Sequence, residues 1–205
     1  MAGETPSGGS STRYLETARG ILSYSQLAPL LAERVLRVER LIFADGFADQ
    51  ALDADFLCLL HSQIAGDLVP EWAGRWRTSE VSVGVHRPPP AHQVPMLMRD
   101  FTADLQVRLA ALAEQPDNLL LESLAFAEGR FLSIHPFLDF NGRVTRLFLQ
   151  ELLHRQRLPP VALVPADPED ERNYLAALRA GDSGDWRPLT AVWQGRFERG
   201  FQVAP

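Results

Sequence analysis

From about Leu15 onward, apolar residues recur along the chain at helical spacing. Leu27, Leu30, Leu31, Val35, Val38, Leu41 and Ile42 lie on one face of a 3.6-residue period, which predicts a helix over about 26–43. Asp45-Gly46 ends it. A second periodic stretch runs from Leu52 to Leu68. The period then changes. Between Gly74 and Val85, Val81, Val83 and Val85 alternate with polar or small residues, the pattern of a short strand or hairpin. Pro88-Pro89-Pro90 follows as a stiff connector. Helical spacing returns over Met96–Leu112 and again from Pro116-Asp117 through Phe131, with Asp117 as a candidate N-cap. It continues over 143–155, 168–180 and 185–199. Gly, Ser and Thr dominate residues 1–12, so 1–14 reads as a disordered tail. No repeat or strong linker interrupts the rest. The pattern predicts a mainly α protein, a compact helical bundle with one small β-hairpin. It forms a single domain over 15–205, with N-terminal helices over 15–70, the hairpin over 74–86 and a core over 94–200.

Composition narrows the classes. The chain has 205 residues, 46% hydrophobic and 22% charged, an ordinary globular balance. That length buries a sizeable core without metal or disulfide support. No apolar run approaches the roughly 20 residues that cross a bilayer, and no apolar leader opens the chain. Both point to a cytoplasmic protein. A net charge of −6 argues against a general nucleic-acid or membrane binder. The single cysteine, Cys58, excludes an intramolecular disulfide and sits in an apolar run as a core residue. All 20 basic residues are arginines. Mechanisms that need a lysine, such as P-loop phosphate binding, Schiff-base chemistry or kinase-type nucleotide clamping, are excluded.

One segment carries chemistry: His135-Pro136-Phe137-Leu138-Asp139-Phe140-Asn141-Gly142-Arg143-Val144-Thr145-Arg146. Pro136 disfavours helix at His135, so 135–140 reads as a loop. Asn141 is placed to cap the helix that follows. The first turn of that helix holds Arg143 and Arg146 on one face, at the end whose free N–H groups and dipole already favour anions. Two cations there make sense if a polyanion binds. Gly142 lets backbone approach it closely. Asp139 offers oxygen to a Mg²⁺ that accompanies a nucleotide polyphosphate, and His135 can take a proton from an attacking hydroxyl. The chemistry these residues point to is in-line attack of a hydroxyl on phosphorus.

The segment resembles the signature of the Fic family, His-x-Phe-x-(Asp/Glu)-Gly-Asn-Gly-Arg-x-x-Arg, at every specified position but one. The likeness extends over roughly 50–200, with 74–86 resembling the family's flap. It implies a compact Fic-type helical bundle and Mg²⁺-dependent transfer of AMP from ATP to a hydroxyl side chain of a target protein. His135 would be the base, Asp139 the Mg²⁺ ligand and Phe137 a buried anchor. Asn141 and the Gly142 N–H would contact the phosphates, and Arg143 and Arg146 the more distal ones. The flap, with Thr78, Ser79, Val81 and Val83, would hold the target by strand addition. Arg77 and Glu80 read as hairpin surface residues. The departure is Phe140, where the family usually has Gly. It is strained if the position needs positive φ, and otherwise packs beneath the loop or narrows the nucleotide site. Phosphoryl or other phosphate-group transfer by the same site, and a catalytically silent nucleotide-binding module, are the alternatives.

Many family members carry an autoinhibitory Ser/Thr-x-x-x-Glu-(Gly/Asn) helix. Here Thr12–Glu16, Leu41–Gly46 and Thr190–Gly195 match only in part, which leaves inhibition by a separate small partner, or none. The oligomeric state is open. His61, His86, His92 and His154 have no metal-binding spacing. Trp72, Trp76, Trp186 and Trp193 read as packing residues, and His154–Arg157 as a solvated helix end.

Overall fold

A computed structural model describes residues 14–112 and 116–203. The expected disordered tail falls almost wholly outside them. The described residues start instead with an antiparallel pair, β1 (Tyr14–Thr17) and β2 (Gly20–Ser23), where a helix was expected. Gly20, at φ +92, makes the tight turn. Ser23 then starts α1 (Tyr24–Phe43) through a capping box: its hydroxyl accepts from the Gln26 N–H, and the Gln26 side chain accepts from the Ser23 N–H. Asp45, at φ +55, ends α1, and the Gly46 N–H returns to the Leu41 carbonyl at 2.8 Å.

Five further helices follow the expected pattern closely. These are α2 (Ala54–Ala65), capped by Asp53, then α3 (Val94–Ala111), α5 (Asn141–Arg155), α6 (Pro168–Asp182), capped by Asp167, and α7 (Arg187–Val203). The sixth, α4, covers Pro116–Ile134, so Asp117 lies within its first turn instead of preceding it. The hairpin expected over 74–86 forms no ladder. It is irregular backbone closed by one pair, Val83 and His86, which exchange both N–H···O bonds at 3.1 and 3.0 Å.

The packing explains where the signature loop sits. Helix α4 contacts α3, α5, α6 and α7, while α5 contacts α1, α2 and α4. Both are central, so residues 135–140 join the two most enclosed helices of the bundle. Val144, Leu147, Phe148, Leu149 and Leu152 bury α5 on most of its circumference. The approach of α4 to the α6–α7 corner demands glycine: a Cβ on Gly129 would lie 2.5 Å from the Trp186 ring, and one on Gly181 2.7 Å from it. Trp193 is fully buried, and Trp186 packs against the core. Among the described residues, no helix is long and apolar enough to cross a membrane.

Candidate functional site

The loop between α4 and α5 is held in a strained shape. His135 (φ +49) and Phe140 (φ +61) both take left-handed backbone, a conformation that costs roughly 1–2 kcal/mol for a residue with a Cβ. Asn141 holds the turn between them. Its Oδ1 accepts from the Phe137 N–H and its Nδ2 donates to the Phe137 carbonyl, both at 2.9 Å. This side chain is therefore spent inside the loop and does not cap α5. Phe140 occupies the cap position, with no side-chain cap bond. The Asp139 Oδ1 accepts from the Phe140 N–H at 2.7 Å, which fixes the carboxylate beside the loop.

Phe140 answers the question its sequence position raised. The backbone does need positive φ, and the ring turns inward. It is 3% exposed and stacks on Trp72 with centroids 5.7 Å apart and planes 24° apart. Phe137, fully buried, stacks on His61 at 4.0 Å and lies 4.9 Å from Trp76. The loop rests on an aromatic floor. Replacing Phe140 with glycine removes about 1–2 kcal/mol of backbone strain but forfeits a buried ring worth roughly 3–5 kcal/mol. Phe140→Gly should lose about 1–4 kcal/mol net, on the difference of those two terms, seen as a lower urea midpoint. A midpoint equal to or above that of the unaltered protein would show that the ring's contacts do not outweigh the backbone strain.

Two residues beneath the loop were not assigned roles from the sequence. His61 is fully buried; its Nδ1 accepts from the Gly74 N–H at 2.8 Å, which leaves Nε2–H facing the Asp139 carbonyl at 3.3 Å. Burial pushes its pKa down to about 4, so the ring stays neutral. The unfolded chain binds a proton near pH 6.5 and the folded one does not. Stability is thus full above that pH and drains as pH falls, by about 3 kcal/mol on reaching pH 4. Urea titrations across this range should show the advantage of the intact protein over His61→Phe narrowing by about that amount. A constant gap would refute the neutral buried ring.

Arg77 is the second, and it corrects the reading of a surface residue: it is 4% exposed. Its guanidinium donates to the carbonyls of His135 (2.8 Å), Pro89 (2.5 Å), Ser79 (3.1 Å) and Ile134 (3.4 Å), and its N–H donates to the Pro136 carbonyl at 2.9 Å. It thereby joins the end of α4, the signature loop and both ends of the flap. Glu80, exposed as expected, accepts from the Ala91 N–H. The only signal in the sequence was the run Arg75-Trp76-Arg77, which does not by itself separate a buried arginine from a surface hairpin.

These elements enclose a cavity of about 660 Å³. The structure brings His135, Asp139, Phe140, Asn141, Gly142, Arg143 and Arg146 together on it, with Val81 and Val83 from the flap opposite. Thr78 and Ser79 do not line it; Thr78 is exposed nearby, and Ser79 receives Arg77. Burial lowers the pKa of both arginines, and the charge of Arg143 lowers that of Arg146 further, while Asp139 opposes the shift at Arg143. Two half-desolvated cations thus stand at the positive end of α5, whose first turn no side chain caps. A Cβ on Gly142 would stand 3.6 Å from Arg146 Nη1, in the space in front of that guanidinium. The arrangement suits a polyphosphate. More distant carboxylates, Glu128 and Glu39, also act on Arg146. Of the partial matches to an inhibitory helix, Leu41–Gly46 forms the end of α1 and Thr190–Gly195 lies in α7.

Comparison with known proteins agrees with this geometry. The Fic/DOC family model matches residues 51–153. The protein adenylyltransferase Fic of Drosophila grimshawi is 34% identical over 132 residues, 63% of this chain and 25% of that protein. Its counterpart from Aedes aegypti is 32% identical over 140 residues, 66% of this chain and 26% of that protein. The chain thus spans about a quarter of the length of these curated relatives. Among solved structures, the N-terminal FIC domain of Bep8 from Bartonella sp. 1-1C superposes with a TM-score of 0.68 at 15% identity, over 92% of each chain. BepC from Bartonella tribocorum with bound AMPPNP gives 0.65 at 18% identity, over 92% of this chain and 94% of that one. At such identities the likeness shows the shared fold.

Proposed function

The chain belongs to the Fic/DOC family, and we propose that it transfers AMP from ATP to a hydroxyl side chain of a target protein. The observation that carries this is the single cavity on which His135, Asp139 and the arginine-bearing start of α5 converge. His135 accepts the proton of the target hydroxyl. The freed oxygen attacks the α-phosphorus in line. A new P–O bond forms, the bond to the β-phosphate oxygen breaks, and pyrophosphate leaves with the electron pair. Arg143, Arg146 and the first N–H groups of α5 stabilise the charge that develops on the leaving phosphates. The relatives named protein adenylyltransferase support both the donor and the protein acceptor.

Asp139 would hold Mg²⁺. One carboxylate on the cavity wall fits that ion, which keeps several waters and takes its other oxygens from substrate phosphates. Bound there, it would neutralise phosphate charge. No group of three or more metal-ligating side chains occurs among the described residues, so the ion would enter with its nucleotide.

The target segment would lie along the flap. Val81 and Val83 face the cavity, and the neighbouring backbone is not tied into a ladder, which leaves an edge for strand addition. Parallel assays with ATP labelled on the α- or the γ-phosphate, in a lysate with Mg²⁺, test the reading. Protein labelled from the α-phosphate alone is the expected result; label from the γ-phosphate alone would replace AMP transfer with phosphoryl transfer.

A further inference from the structure

His135 stands between two cavities. One is the nucleotide cavity. The other, of about 310 Å³, lies beyond the 83–86 turn and shares His135, Val83 and Gly84 with the first. Leu132 of α4 and Leu175 and Leu178 of α6 line it, with Val85 at its edge. Val83, Val85 and Leu175 are 42%, 82% and 40% exposed, so large apolar side chains ring one opening. Its roof is held in place. His86 has Nε2 2.9 Å from the Ser133 carbonyl and Nδ1 2.9 Å from the Asp182 carboxylate, and it closes the turn on Val83. The cavity is formed before anything enters it, which lowers the ordering cost of binding.

We propose that this second cavity is a specificity subsite for a large apolar side chain of the target, two residues from the acceptor hydroxyl. The proposal rests on the AMP-transfer reading above. In-line attack puts the acceptor oxygen opposite the leaving pyrophosphate, on the side of His135 away from the arginines. An extended target segment beside the flap sends alternate side chains to the same face, about 7 Å apart. With the acceptor side chain at His135, the next one on that face reaches the neighbouring cavity. That cavity adjoins the catalytic one through His135 itself, and its wall is mainly leucine and valine, with Arg179 and Asp182 at the α6 side, the latter paired with His86. Its occupant is therefore apolar: leucine, isoleucine, methionine or phenylalanine.

The test is a positional peptide library with a central Ser, Thr or Tyr, each flanking position varied in turn, and ATP labelled on the α-phosphate. One position two residues from the acceptor should favour Leu or Phe over Ser or Glu by about tenfold or more. Leu175→Glu should cut that advantage about tenfold and raise transfer to Lys at the same position; Val85→Glu, on the other wall, should act in the same direction. Both sites are exposed enough to accept the change without unfolding, and thermal unfolding checks this. A preference confined to other positions, or one that both variants leave unchanged, overturns the subsite. So does label in lysate proteins without any in the apolar-flanked peptides. Absence of label from lysate and library alike overturns the transfer reaction on which the subsite depends.

Discussion

His135→Ala should lower AMP transfer by about 10²–10⁴-fold while leaving affinity for Mg²⁺-ATP largely unchanged. The separation follows from the geometry. His135 opens the loop at the end of α4, whereas Gly142, Arg143 and Arg146, which would grip the phosphates, stand at the first turn of α5. Removing the imidazole would take away the proposed proton acceptor but none of the proposed phosphate contacts. The cavity stays intact, because the His135 backbone is held by Arg77 through its carbonyl and by Phe131 through its N–H. Single-turnover transfer of α-labelled AMP measures the first quantity and titration calorimetry the second. A variant that modifies its target at the parent rate would remove His135 from the role of base. A variant that loses nucleotide binding equally would make it a structural residue of the loop.

The largest loss of stability should come from an ion pair outside the cavity. Arg196→Leu should cost about 3–5 kcal/mol, because it strands a buried carboxylate. Glu128 on α4 is 1% exposed, and Arg196 on α7 donates to both its oxygens, at 2.6 and 3.1 Å. The Tyr174 hydroxyl of α6 donates to the same carboxylate at 2.8 Å. One ion pair thus fastens three helices, and Arg196 adds the carbonyl of Leu163 at 3.4 Å. Burial and the Glu128 carboxylate both raise the Tyr174 pKa, so its hydroxyl remains a donor. Urea unfolding reads the loss. Pairing Arg196→Leu with Glu128→Leu should restore much of it, since the penalty lies in the uncompensated charge and not in the absence of the pair. A single variant within 1 kcal/mol of the parent would deny the pair this role.

The bundle was largely legible from spacing. Apolar residues three and four apart marked all seven helices of the described residues, α1 to α7, because each buries one face against the same core. The loop's place between two helices was legible from Pro136 and the spacing on either side, and its family from the signature residues, which line one cavity. Three things were not. Strands β1 and β2 have four residues each, too few for a period of two to stand out, although Ser23 and Gln26 carried a capping signal just after them. Alternation of Val81, Val83 and Val85 suggested a ladder, yet it only places side chains on the cavity side and gives the backbone no partner strand. Arg77 and His61 were opaque because their roles depend on carbonyls from distant segments, and pairing across 58 and 78 residues leaves no local pattern. Phe140 was ambiguous for a related reason. Its backbone strain is local, but the compensating contact comes from Trp72.

That contact has a consequence for transplanting and for tracing the motif. A loop with glycine at this position is portable, since glycine takes the left-handed turn unaided. This loop is not: Phe140 is tolerable only above Trp72, and Phe137 lies against His61. Grafting residues 135–146 alone onto another bundle would carry the strain without its offset. The transferable unit includes the end of α2 and the turn after it, and in any lineage that kept an aromatic residue at this position, Trp72 and His61 should have been kept with it.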